Sequence, residues 1–388
     1  MRVLLPAGTT ETALIDGISA AGATPELMAH TPSADVEILE YGEPIASPVT
    51  PVSPSGCPTP AAVTRAVWEV VGFNLTVIDA GLARPTAAPT VDLDVRPGND
   101  VREPIAVPDA DATFDRAYDY GTSLPDDELL IGETVPGGTT TALGVLTALG
   151  EPTGVSSSLP ENPIERKRRV VDEALTASDL EAGDCEGAPL EAVGVVGDPV
   201  QPTVAGITAG ALEAGIDVTL AGGTQMIAVA ALVRHAGIDA ALSIATTSFV
   251  AAEQGDRLWD ACERFDCDLT VTDPGFDERD HVAMERYCAG EAKEGVAMGG
   301  ALSLVPEGRM SDVRDRLEMI CVRLGIDTEP GLESGGRNEG GSTPSSVGMA
   351  DAEGTAAEEM DAEGTAAEEM DAEGTAAEEM DAEGDRGS

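Results

Sequence analysis

Val218-Thr219-Leu220-Ala221-Gly222-Gly223-Thr224-Gln225, running on to His235, sets the architecture. A short apolar run predicts a strand over 218–220, the Gly-Gly pair a turn, and the Ala-rich continuation a helix over 224–235. The unit recurs on both sides. A helix over 204–214 precedes it, and strand 241–245, helix 257–265 and strand 269–272 follow. Upstream, strand 193–196 leads into Gly197-Asp198-Pro199, behind helices over 141–149 and 163–176. The N-terminal part predicts strand 3–5, helix 13–21 and a Pro/Ser-rich loop over 47–60. The helix-start signal Thr59-Pro60 closes that loop, before helix 61–71 and strand 75–80. Residues 84–127 repeat Pro and Asp with poor periodicity and predict long loops. Such alternation implies an α/β fold, a Rossmann-like parallel sheet wound with helices, with a smaller helical and loop part from N-terminal segments. Ligands of these sheets gather at the carboxyl ends of the strands. Asp198, Gly222, Gly223, Thr224 and Gln225 are therefore candidate site residues.

A second stretch carries more chemistry: Ile131-Gly132-Glu133-Thr134-Val135-Pro136-Gly137-Gly138-Thr139-Thr140-Thr141-Ala142-Leu143. A carboxylate stands on a glycine-flanked turn, followed by two glycines, three hydroxyls and a helical run. Glycine lets backbone approach a ligand closely, and a helix start favours anions. Gly132, Gly137, Gly138, Thr139 and Thr140 thus read as a seat for a phosphate or sugar phosphate. The stretch is neither a P-loop nor a dinucleotide fingerprint, because the Lys-Ser/Thr ending and the G-x-G-x-x-G spacing are absent. A loop whose threonines merely cap a buried helix uses the same residues, and the stretch alone leaves both readings open.

The 388 residues include 71 acids against 22 Lys and Arg, a formal net charge of −49. Phosphate repulsion disfavours a nucleic-acid partner. Only two lysines occur, Lys167 and Lys293. An acidic, lysine-poor chain with ordinary apolar content predicts a halophilic protein, since molar salt shortens the range of self-repulsion. The six cysteines and three histidines show no zinc-like spacing, so no metal site is expected. No signal peptide or membrane-spanning run is evident, which predicts a cytoplasmic protein. After residue 327 the character changes. Residues 328–348 read as a Gly/Ser linker, and 349–388 hold a ten-residue acidic repeat starting at Asp351, Asp361 and Asp371, then breaking off. Copies so short and so charged predict a disordered tail behind an α/β unit of residues 1–327.

Three further stretches narrow the chemistry. They are Glu165-Arg166-Lys167-Arg168-Arg169, Pro189 through Asp198, and Glu291-Ala292-Lys293-Glu294-Gly295-Val296-Ala297-Met298-Gly299-Gly300. With Gly132-Glu133 and Thr139-Thr140, their order and spacing resemble the nicotinate-nucleotide–dimethylbenzimidazole phosphoribosyltransferases, and most of all the archaeal branch of that superfamily. The resemblance runs over residues 1–325 and is strongest from 131 to 305. It departs at Gly138, where bacterial members carry Asn, and at the base pocket, represented only by Pro54-Ser55-Gly56.

The resemblance implies phosphoribosyl transfer from nicotinate mononucleotide to an aromatic base of the cobamide lower-ligand type, by a homodimer that needs no cofactor. It gives Glu294, in a Lys-Glu-Gly turn ending at Gly295, the role of general base. Glu133 becomes a second active-site acid and Lys167 a neighbour of the phosphoribosyl group. Asp198 and Gln225 are candidates for ribose hydroxyls. Each residue also has a plain structural reading: a helix-start acid, a turn acid, a solvated helix face. A non-catalytic nucleotide sensor, or a transferase with another nucleotide donor, would use the same cradle.

Overall fold

The computed structural model describes residues 1–19, 25–53, 55–152 and 154–326. The linker and acidic repeat lie outside these residues. Seven strands form one parallel sheet: β1 (Arg2–Ala7), β2 (Asn74–Asp79), β3 (Thr90–Asp92), β4 (Glu128–Ile131), β5 (Asp217–Ala221), β6 (Leu242–Thr247) and β7 (Cys267–Thr272). Their order is β3-β2-β1-β4-β5-β6-β7. The winding direction reverses between β1 and β4, the point where such sheets open a crevice.

Central strands alternate between two apolar cores rather than between core and water. Leu4, Ile78, Leu129, Ile131, Val218, Leu220, Leu242 and Ile244 pack under one helical layer. Val3, Leu5, Val77, Leu130 and Ala221 face the other. This is why the strands read as unbroken apolar runs. A third cluster joins the helix Pro60–Val71 to the helices Val282–Cys288, Met298–Ser303 and Met310–Arg323. The smaller helical part therefore combines one N-terminal helix with the last helices of the described chain. No described helix is long and apolar enough to cross a membrane.

Several local expectations are corrected. Residues 193–196 are not a strand but the end of the helix Pro189–Val196. Their valines imitate a strand, while Pro189 at the first turn and Glu191 beside it favour a helix start. Where a helix over 13–21 was expected, a single 3₁₀ turn stands instead, Glu11–Leu14, and residues 20 and 21 lie outside the described chain. Thr10 closes that turn, its hydroxyl accepting the Thr12 N–H. Residues 84–127 are not all loop, since they hold β3 and the helix Ala110–Thr122. β4 and the helices Thr31–Tyr41 and Met310–Arg323 had no counterpart in the sequence reading.

The helix Ala110–Thr122 packs on Val200–Glu213 almost backbone to backbone. A Cβ on Gly206 would stand 2.4 Å from the Phe114 carbonyl oxygen, and one on Gly210 2.2 Å from that of Tyr118. Dispersion between closely apposed chains replaces large side chains here. Gly210→Ala is expected to destabilise the fold by about 1–3 kcal/mol, the scale of core overpacking. Urea unfolding followed by circular dichroism measures it, and an unchanged midpoint would refute the close contact.

Candidate active site

One cleft opens where the loops after β4 and β5 meet the 292–296 turn, the 51–60 segment and the strap at 156–158. It is lined by Glu133, Gly137, Gly138, Thr139, Gly223, Thr224, Gln225, Glu294 and Gly295, all expected from sequence. The remaining candidates stand behind the wall. Gly132 allows the Glu133 turn to close on the 296–297 backbone, since a Cβ there would lie 2.4 Å from the Ala297 Cβ. Thr140 and Gly222 are also outside the lining.

Asp198 is corrected in role. It is wholly buried and meets no cleft space. Its Oδ2 accepts from Thr141 Oγ1 and from Gln225 Nε2 at 2.7 Å, and its Oδ1 from the N–H groups of Val200 and Gln201. Three helix starts, Gly138–Ala148, Val200–Glu213 and Thr224–His235, are thereby tied to one carboxylate. Burial raises its proton affinity, and these donors oppose the rise. The first and third of those helices begin at Gly137 and Gly223 without a side-chain cap, and their opening residues line the cleft. Uncapped helix N-termini carry partial positive charge, and two of them face this cleft.

Glu294 sits in a fitted cradle. Its Oε1 accepts the N–H of Gly299 at 2.8 Å and of Gly295 at 3.2 Å; its Oε2 accepts Thr246 Oγ1 at 3.0 Å and the Thr247 N–H at 3.2 Å. A Cβ on Gly299 would collide with Oε2 at 2.5 Å. Burial nonetheless outweighs these donors and raises the pKa to about 7. The turn carries strain, because Ala292, Val296 and Ala297 all adopt positive φ (45°, 53° and 61°). A β-branched residue rarely does so, and each such residue costs of order 1–3 kcal/mol. The cost is borne where the carboxylate must be aimed.

Glu133 adjoins it through the backbone, its carbonyl accepting the Val296 N–H at 2.8 Å. Burial, then the charges of Asp198 and Glu294, lift its pKa to about 8 against the Val135 N–H. Burial thus shifts both acids toward the protonated form.

Both lysines hold the strap. Lys167 is not on a solvated face but fully buried; its Nζ donates to Thr139 Oγ1 at 2.8 Å and to the Ser156 carbonyl at 2.9 Å. Lys293 donates to the carbonyls of Ser157 and Leu159 at 2.7 and 2.8 Å and lies 3.6 Å from Glu253. Burial lowers the Lys167 pKa to about 7, against the pull of Glu253. Thr224 Oγ1 accepts the Ser156 N–H at 2.8 Å. Among the described residues, no group of three or more His, Cys, Asp and Glu side chains is arranged to hold a metal ion.

No family model matches the chain. The UPF0284 protein of Halobacterium salinarum is 59% identical over 323 residues, spanning 82% of this chain and 97% of the relative. The chain belongs to the UPF0284 family. Further UPF0284 proteins include those of Methanosarcina acetivorans, 40% identical over 81% of this chain and 92% of its own length, and of Pyrococcus furiosus, 39% identical over 83% and 98%. Among solved structures, the fold is similar to that of CobT from Thermus thermophilus. The TM-score is 0.55 at 19% identity, covering 82% of this chain and 83% of that one. A structure of nicotinate-nucleotide-dimethylbenzimidazole phosphoribosyltransferase from the same organism gives 0.55 at 18% identity over 84% and 86%. At these identities the likeness is one of fold.

The UPF0284 chain brings to its cleft residues that the sequence reading missed. Asp35, on the buried helix Thr31–Tyr41, lies on the lining and accepts hydroxyls from Thr59 at 2.6 Å and Thr134 at 2.7 Å. Burial raises its pKa to about 7 against those two donors. Three acids thus surround one cleft. The available signal was Ser33, Asp35 and Glu37 alternating with apolar residues inside a helix that starts Thr-Pro. Ser156 and Ser157 gave no signal beyond a run of serines.

Removing the Lys167 ammonium should loosen the strap. Lys167→Met is expected to speed amide hydrogen exchange at Ser156 by roughly tenfold or more, since a hydrogen bond to a charged group is lost. Mass-spectrometric exchange over 154–160 reads this, and unchanged protection would mean that Thr224 and Lys293 suffice.

Proposed function

We propose that this UPF0284 protein is a phosphoribosyltransferase that moves the phosphoribosyl group of nicotinate mononucleotide to a ring nitrogen of an aromatic base. The Glu294 cradle carries the reading: a strained turn aims a carboxylate of near-neutral pKa into a cleft that two uncapped helix starts make hospitable to phosphate. The fold likeness to solved proteins that bear the name of such transferases supports it.

In the reaction, the bond from ribose C1 to the pyridinium nitrogen breaks, and nicotinate leaves with the electron pair. A lone pair on the acceptor ring forms the new bond to C1 from the opposite face, giving an α-ribotide. The acceptor's N–H proton passes to Glu294. Its pKa near 7 matches a general base working at neutral pH. Glu133, whose pKa burial raises, donates a hydrogen bond to a ribose hydroxyl in its protonated form. The N–H groups of Thr139, Thr224 and Gln225 hold the phosphate, with Lys167 supplying positive potential through Thr139.

A homodimer in a salt-rich cytoplasm completes the proposal. A second reading, a nucleotide sensor without turnover, draws on the two lysines, whose ammonium groups already hold backbone carbonyls.

Incubation of the full chain in molar KCl with nicotinate mononucleotide and a benzimidazole or purine is expected to release nicotinate only when the base is present. Glu294→Gln should lower kcat about 10²–10⁴-fold, the usual contribution of a general base, with donor affinity retained. Because the base works deprotonated, kcat/KM should rise with pH through about 7. Full turnover by Glu294→Gln would overturn the assignment; donor binding without nicotinate release would favour the sensor.

A further inference from the structure

The cleft lining offers two kinds of surface. Thr139, Ser156 and Thr224 form a small, hydroxylated part tied to Lys167. Pro51, Val52, Pro58 and Val296 offer apolar walls suited to a flat ring, and Asp35 lies on the lining with them. Proline and valine surfaces stack against an aromatic face but satisfy none of its polar edges.

Asp35 is 2% exposed, and each carboxyl oxygen takes one hydroxyl hydrogen bond, from Thr59 and from Thr134. Thr59 Oγ1 also accepts the Ala61 N–H, so its own proton is committed to Asp35. The carboxyl is therefore fixed in direction, and each oxygen keeps a second lone pair. A carboxyl already shielded from water, with lone pairs still open, gains a partner from a ring edge that donates to it and gains nothing from an edge that does not. Glu294 takes the proton of the reacting ring, so one N–H is already assigned. A ring with no other donor leaves Asp35 unanswered.

Resting on the transferase reading, we infer that Asp35 selects acceptor heterocycles that carry a second hydrogen-bond donor, an exocyclic amino or hydroxyl group, besides the ring N–H that Glu294 removes. Asp35 is a specificity-determining residue, and its partner on the substrate is that donor.

Two matched pairs of bases test this: adenine against purine, and 5-hydroxybenzimidazole against 5-methylbenzimidazole. With wild-type full chain in molar KCl, the donor-bearing member of each pair should be preferred about tenfold or more in kcat/KM for nicotinate release, the scale of a hydrogen bond to a charged group. In Asp35→Asn, which keeps the side-chain shape, and in Asp35→Ala, the ratio within each pair should fall toward one. A ratio does not depend on the fraction of chain that folds. A purely structural Asp35 would lower both members equally and leave the ratio intact, and that result, or no preference in the wild type, overturns the inference. Calorimetric titration of the same four bases into wild type and Asp35→Asn separates the two readings. A binding preference that Asp35→Asn abolishes, without nicotinate release, upholds Asp35 and sinks the transferase. A chain that binds none of the four overturns both.

Discussion

One buried carboxylate holds the site together. Asp198 accepts from the first turns of three helices that belong to different parts of the sequence, at Thr141, at Val200 and Gln201, and at Gln225. Burying a charge without partners costs several kcal/mol, and hydrogen-bond donors offset most of it. The positive ends of three helices add to that compensation. Gln201 closes the network by donating to Gln225 Oε1 at 2.9 Å. With the two cleft-facing helix starts fixed in this way, their first turns stay open at the cleft instead of closing on a side-chain cap.

Above this floor the charges are arranged by burial. Asp35, Glu133 and Glu294 are each raised toward neutrality, while Lys167 is lowered toward the same range. Low local polarity brings acids and bases together on the pH scale because it penalises the ionised form of each. Among the described residues, no histidine joins these groups on the cleft lining.

Much of this was legible in the sequence. The alternation from residue 204 onward marked β5, β6 and β7 with their helices, because those elements carry their apolar faces in local periodicity. The strand expected at 193–196 failed where periodicity alone cannot tell four valine-rich residues of a helix from a strand. The helix Ala110–Thr122 escaped because its contact with Val200–Glu213 is made through glycine and alanine, which leave no apolar stripe. Glu133 and Glu294 stood out by their glycine-flanked turns. Asp35 did not, since a side chain that reaches the cleft from a distant helix has no local signature. Asp198 was recognised as special for the wrong reason: its glycine turn marked a helix junction rather than a ligand contact.

The placement of the lysines has an outcome for the chemistry of the exterior. Lys167 is fully buried and Lys293 is 5% exposed, and the sequence contains no others. The outer face of the protein is thus devoid of lysine amines. Enzymes that acylate or conjugate through an accessible ε-amino group find no lysine target there. Amine-directed cross-linkers and dyes would find the exposed α-amino group of Met1 but reach a lysine only by opening the strap at the cleft, so labelling of a lysine reports on the site and not on the surface.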